Sequence, residues 1–400
     1  MDDWQQDYAM LALRLDRLAG GTALIYSGPE DRRARVAREP PPAPGELADE
    51  AARLLDSAPT PYLAAQVRAM RAFARRLGGD RSPLAEYARE CLGLEPRRVP
   101  EEVFEEAHAE LDAALPKGRG PLAERLHAWQ AAHTLERIER LPALVSPAVA
   151  ETRARTSARI VPLPEEEVVD CRLVEGVPFH GAGAYEGGLR STIHINRAIP
   201  FNLADLLYLV AHEGHPGHIA ESMLKELHLP EADRENQRVR FMVSPSFVLS
   251  EGLGLLGEEI LFPGEEAQEW LERHVLPEAR GRRGGRGGGR GGGDGGGDAG
   301  DFAAIHHART VLWGVWGNAA LLADEGRSAA ELRAYLARWA LYDEDEVTLV
   351  LPQLEPSPMS PYLFGYFHGW ELLRPWVAGR PDRVRRLLTE QLLPADITTP

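Results

Sequence analysis

The chain has 400 residues and only two cysteines, Cys91 and Cys171. So few thiols, so far apart, exclude a disulfide framework and a thiolate metal site, and a reducing cytoplasm is the expected compartment. No apolar run approaches the roughly 18 residues a membrane span needs. The start, Met1-Asp2-Asp3-Trp4-Gln5-Gln6-Asp7, lacks the basic-then-apolar order of a signal peptide. Positive charge is also short: the net charge is −16, which argues against general nucleic-acid binding. There is no Gly-x-Ser-x-Gly elbow, no phosphate loop ending in Lys-Ser/Thr and no Cys-x-x-Cys pair. What is present, 44% hydrophobic and 26% charged residues, is the balance of a globular protein that builds a core without metal or disulfide staples. Any metal it holds is therefore expected to be catalytic.

Residues 1–160 read as helical. Trp4, Tyr8, Leu11, Leu15 and Leu18 recur at helical spacing and Gly20-Gly21 stops that helix. Further helices are expected at about 46–57, 61–77, 101–115 and 121–140, between Pro and Gly breaks. The character changes after Val161-Pro162-Leu163-Pro164. Val168, Val169, Leu173 and Val177 suggest a strand, Gly181–Gly188 a loop, and Ser191–Asn196 a short strand of period two. Asn202 can cap the next helix, on which Leu206, Leu207 and Val210 face inward and His212 and Glu213 stand near the end. Residues 281–300 are almost all Gly and Arg, a composition that makes no core and predicts a flexible loop; its Arg-Gly-Gly steps are too few, in an acidic protein, to carry RNA binding. Helices are expected again at 302–322, 329–341 and 362–373. The chain divides at about 160 into a helical N-terminal region and a C-terminal catalytic region, integrated into one domain.

A catalytic zinc needs about three protein ligands and an open position for water, and a carboxylate that moves the water's proton. On a helix the usual solution is His-Glu-x-x-His, because i and i+4 share a face. Here Pro216 occupies the i+4 position after His212, and Pro216-Gly217 must break the helix. Two second ligands remain open. His215 at i+3 shares the face of His212; His218 at i+6 reaches it only across a kink. Spacing alone slightly favours His215.

The segment Leu209-Val210-Ala211-His212-Glu213-Gly214-His215-Pro216-Gly217-His218 resembles the signature of a bacterial family of unknown function, His-Glu-x-x-Pro-Gly-His, which itself resembles the gluzincin zinc metallopeptidases. In that pattern the place of His215 varies and the final His is fixed, so the resemblance implies Zn²⁺ on His212 and His218, with His215 as a neighbour or substrate contact. The family often has a second His next; this chain has Ile219. Ser250-Glu251-Gly252 through Glu258 resembles the family's later Glu-Gly stretch, which makes Glu251 the third ligand and Glu258 a support for a ligand His. Glu213 is then general base and acid. Tyr185–Ser191 and Ile195-Asn196 resemble the segment before the motif, so the strand Ser191–Asn196, with Arg190, His194 and Asn196, is the expected substrate edge. Pro361-Tyr362-Leu363-Phe364-Gly365-Tyr366 resembles a Tyr-x-x-Gly stretch, which makes Tyr362 the expected oxyanion donor, with Tyr366 and His368 behind it. His306-His307 could suggest a second metal, but adjacent residues point to different faces of a helix. The implied fold is mainly α (α+β): a zincin-like helical metallopeptidase with a small sheet beside the active helix. The implied partner is a peptide or small amide. Two other readings remain: a peptide-binding zincin scaffold without turnover, which the intact Glu213 disfavours, and a zinc hydrolase of a non-peptide amide or ester.

Overall fold

The structure is a computed structural model that describes residues 3–177, 179–279 and 299–398; most of the Gly/Arg-rich tract lies outside the described residues. It is 64% helical and 8% strand, which fixes the class as mainly α with small sheets. The first helix, Asp3–Leu18, buries Trp4, Tyr8, Leu11 and Leu15, one stripe at helical spacing. Helices at Pro44–Asp56, Pro61–Leu77 and Glu101–Ala114 lie where the sequence predicts them. Thr60 caps the second of these through its side chain. Two expected helices are divided. The 121–140 stretch is Leu122–Ala132 plus a single turn at Ile138–Arg140, and 302–322 breaks at Leu312-Trp313.

Two sheets stand near the motif. β1 (Leu24–Tyr26) pairs antiparallel with β5 (Val239–Phe241), so the N-terminal region contributes a strand to the C-terminal one. The other sheet has the order β2–β4–β3, with β2 at Val168–Val174, β3 at Gly181–Gly187 and β4 at Arg190–Asn196. β4 is parallel to β2 and antiparallel to β3.

This topology corrects two expectations. The glycine-rich stretch expected to be a loop is a strand, β3. Strand propensity is low for Gly, but close packing demands it here: a Cβ on Gly183 would lie 2.1 Å from the main-chain oxygen of Glu213. And β4, expected to receive substrate, is the central strand, with both edges already paired. The free edge beside the motif belongs to β3.

Around these sheets run four helices that carry the site. The first motif helix (Leu206–Glu213) is entered through a turn that Asn202 caps, its side chain accepting from Ala204 N–H at 2.9 Å. It stops at Glu213, and the second motif helix (His218–His228) begins five residues later. The Glu251 helix (Pro245–Leu261) is buried along nearly its whole length, and it packs on the tyrosine helix (Leu363–Val377).

Candidate metal centre

Three donor atoms from three separate places in the chain converge. His212 Nε2 and His218 Nε2 are 3.1 Å apart. Glu251 places Oε2 3.4 Å from His212 Nε2 and Oε1 3.6 Å from His218 Nε2. Tetrahedral ligands about 2.0–2.1 Å from a zinc ion would stand about 3.3 Å from one another. Glu251 Oε2 is buried without a hydrogen-bond partner, an arrangement that costs free energy unless a cation receives it. Two imidazole nitrogens and one carboxylate are a donor set suited to zinc. These residues fit the metal that the sequence implies.

The helix break decides which histidine joins the cluster. Gly214 ends the first motif helix and Gly217 precedes the second, so His218 starts a new helix aimed back at His212. His215 is carried the other way. It is fully buried, with Nε2 2.8 Å from Glu167 Oε1, and Arg153 Nε holds the other oxygen of that carboxylate at 2.9 Å. This corrects the expectation of a substrate contact at His215. A side chain with no exposed surface that is bonded into the wall supports the break instead.

The tautomer of His218 follows from its neighbours. Ser250 Oγ donates to Glu221 Oε2 and accepts from Arg240 Nη2 at 2.9 Å. His218 Nδ1, 3.0 Å from the same oxygen, must then be the donor. That puts the proton on Nδ1 and leaves the Nε2 lone pair facing the cluster. Glu221 is itself held by Lys225 at 2.7 Å and Arg240 at 2.8 Å. Burial pushes the Glu221 carboxyl up, but these two cations outweigh it and bring it down to about 2. The Ser250–Glu221–Arg240 support has no motif in the sequence. Its only signals were Ser250 standing directly before Glu251 and Glu221 three residues after His218.

Gly254 makes room for the other ring. A Cβ there would lie 2.7 Å from His212 Cε1 and Nδ1, closer than real contacts allow. The first two glycines of the Gly252-Leu253-Gly254 step thus do different work, since Gly252 faces the backbone of Gly369 on the tyrosine helix. Around the cluster the charges oppose burial. Burial raises the Glu251 carboxyl, but His218, His212 and Tyr362 outweigh it and hold the group below its ordinary range.

Glu213 follows His212 and is buried, its Oε2 accepting from Gly183 N–H on β3 at 2.8 Å. Tyr362 donates to Glu251 Oε1 at 2.6 Å, and Tyr366 donates to Tyr362 Oη at 3.4 Å. Burial and then the Glu251 charge push both phenols well above their ordinary value, so they remain donors. Stacking on Trp313, with centroids 4.5 Å apart, fixes the Tyr366 ring. His368 is not part of the cluster; it is buried against Glu371 at 3.8 Å.

Three further expectations, at Glu258, His194 and Asn196, are corrected by position. Glu258 does support a histidine, but it is His306, at 2.6 Å, rather than a cluster member. His306 bonds Asp205 on its other nitrogen at 3.0 Å, and Arg309 clamps Asp205 with both Nη groups. His194 lies on the far face of the sheet, because its neighbour Ile193 faces Gly214 and successive residues alternate. Asn196 spends its side chain on a turn, donating to Val177 C=O and accepting from Ala198 N–H, both at 3.0 Å. Arg190 is 61% exposed at the strand's outer end, 3.9 Å from Asp170. Asn318, in the segment after Trp316, ties down Val99 through both its amide atoms at 2.8 Å, which is structural work. A second group, His127 with Asp343 and Glu346, also lies within ligating distance, but Asp343 and Glu346 form the capping box of their own helix.

No family model matches the chain, and no curated protein does. Among solved structures it is similar to a chain described as "the putative lipoprotein from Colwellia psychrerythraea", at TM-score 0.55 and 14% identity over 96% of this chain and 67% of that one. That likeness concerns the fold. A more distant chain, described as "BsuCP", aligns at TM-score 0.38 and 10% identity over 96% of this chain and 87% of that one, a likeness that carries no argument about fold or function. Among the described residues no helix is long and apolar enough to cross a membrane.

Proposed function

We propose that this protein is a zinc-dependent hydrolase of peptide or related amide bonds, with a gluzincin-like site. The observation that carries the reading is the convergence of His212 Nε2, His218 Nε2 and the unpartnered Glu251 Oε2, with the Glu213 carboxylate on the residue after the first ligand. His212, His218 and Glu251 would hold the ion. Zinc bound there supplies Lewis acidity that makes water nucleophilic near neutral pH. The chain supplies the rest. Glu213, oriented by Gly183 N–H, takes the water's proton and passes it to the leaving nitrogen. The free edge of β3 aligns the extended substrate by main-chain bonds, the task expected of β4. Tyr362, backed by Tyr366, turns its single O–H from Glu251 Oε1 to the oxyanion that develops on the attacked carbonyl.

The test is Glu213→Gln, compared with wild type for zinc content by elemental analysis and for cleavage of a peptide library. Zinc is expected to remain while turnover falls by about 10²–10⁴-fold. A zinc-loaded variant with full activity would remove Glu213 from the reaction; a wild-type protein that takes up no zinc would remove the reading itself.

A further inference from the structure

We infer that the groove between the free edge of β3 and the second motif helix is a subsite for a carboxylate, and that Arg234 is the group that reads it. The inference rests on the hydrolase reading of the neighbouring cluster. The groove is lined by Gly183 and Tyr185 of β3, by Ser222 and Glu226 of the second motif helix, and by Arg234, Arg238 and Arg240 beyond them.

Two contacts join it to the site. Gly183 N–H bonds Glu213, and Arg240 bonds the same Ser250 that orients His218. The strand offers main-chain groups along the groove. Asn196 N–H bonds His180 C=O, so the alternation of an antiparallel ladder turns Gly181, Gly183 and Tyr185 toward the free edge, where Gly183 N–H is already given to Glu213 and its C=O and the groups of Gly181 and Tyr185 remain. An extended peptide pairing there runs alongside the second motif helix. From His218 to Glu226 is eight residues, about 12 Å of helix. That is about three to four residues of extended chain. The basic end of the groove is thus within reach of a short peptide whose scissile bond lies at the cluster.

The three arginines are not equivalent. Arg240 is committed to Glu221 at 2.8 Å, and Arg238 to Glu235 at 2.8 Å with Glu226 at 4.0 Å. Arg234 forms no ion pair among the described residues. Its Nε donates to Leu229 C=O at 3.1 Å, which anchors the guanidinium and leaves its two Nη groups for a planar acceptor. A carboxylate fits that fork, either a peptide's C-terminus or an Asp or Glu side chain. Glu226 also lines the groove and stands 4.0 Å from Arg238, whose nearer partner is Glu235.

The experiment uses matched quenched-fluorescence peptides with Glu or Gln at each of the second to fourth residues on either side of the scissile bond, each with a free or an amidated C-terminus. The readout is the ratio of kcat/KM for carboxylate over amide, in zinc-loaded wild type and in Arg234→Gln. A ratio on the order of tenfold or more is expected at one position, as for a charge-assisted bond, collapsing toward one in the variant and partly kept in Arg234→Lys. The arm in which the ratio appears distinguishes a terminal carboxylate from a side chain. A ratio near one in wild type, or one that survives in Arg234→Gln, overturns the inference. If no peptide is cleaved, the hydrolase reading fails on its own. Calorimetric titration of the same peptides then reads the ratio as Kd: loss of a preference in Arg234→Gln supports the subsite, and the absence of any preference overturns it.

Discussion

Ser250→Ala probes the support of the proposed metal site most directly. Ser250 Oγ holds three groups: it accepts from His218 Nδ1 at 3.0 Å and Arg240 Nη2 at 2.9 Å and donates to Glu221. Removing the oxygen leaves the His218 N–H facing a gap, so the ring is free to change tautomer and put its proton on the nitrogen that must ligate. Loss of such a partner costs roughly 10–100-fold in metal affinity, equivalent to about 1.4–2.7 kcal/mol. Fold stability is expected to fall by a further 1–3 kcal/mol or so, because Glu221 and Arg240 lose a shared hydroxyl in a buried setting, although Lys225 still satisfies Glu221. Zinc affinity is measured by competition with a chromogenic chelator, and folding by urea titration of the metal-free protein. A folded Ser250→Ala protein that binds zinc as tightly as wild type would falsify the claim that Ser250 sets the His218 tautomer.

Other variants separate the remaining claims. His218→Ala is expected to lose zinc while His215→Ala keeps it and instead lowers the melting temperature, because His215 is buried against Glu167; zinc lost only from the His215 variant would reverse the ligand assignment. Tyr362→Phe is expected to lower kcat by about 10²–10³-fold, as for loss of an oxyanion donor, with Tyr366→Phe milder; a larger loss in Tyr366→Phe would move the donor role to it. His306 offers a pH test. Burial disfavours its charge, but Glu258 and Asp205 outweigh that and push it from 6.5 up to about 9. A raised value means stability fully present below pH 6.5 and lost as pH rises through about 9, a contribution on the order of 3 kcal/mol. The stability gap between wild type and His306→Gln, from urea melts, is therefore expected to shrink between pH 6 and pH 10; a gap constant with pH would show that His306 is not charged in the folded protein.

The N-terminal helices could be placed from local pattern because their signals are local. Trp4, Tyr8, Leu11 and Leu15 form a stripe that any partner surface would bury, and Pro and Gly mark its limits. The short strand β1 carried no such signal: three residues gain their conformation from pairing with β5, more than 200 positions away. The Gly181–Gly187 strand carries the local signal of a loop for a related reason. Glycine loses its strand preference in isolation, whereas here the close approach of Glu213 forbids any side chain at Gly183.

The sequence by itself determined the chemical inventory of the site. His212, Glu213, Glu251 and Tyr362 all stand in the cluster, and Pro216 alone ruled out the ordinary helical spacing. What it left open was direction. Whether His215 or His218 turns toward His212 depends on the path of the chain through Gly214–Gly217. Which histidine Glu258 holds depends on what packs opposite it, and which strand is free depends on sheet order. Each is a relation between segments distant in sequence. The Glu251 helix, threaded between the first motif helix and the tyrosine helix, settles the first by setting Ser250 and Glu251 against His218 and leaving His215 to Glu167.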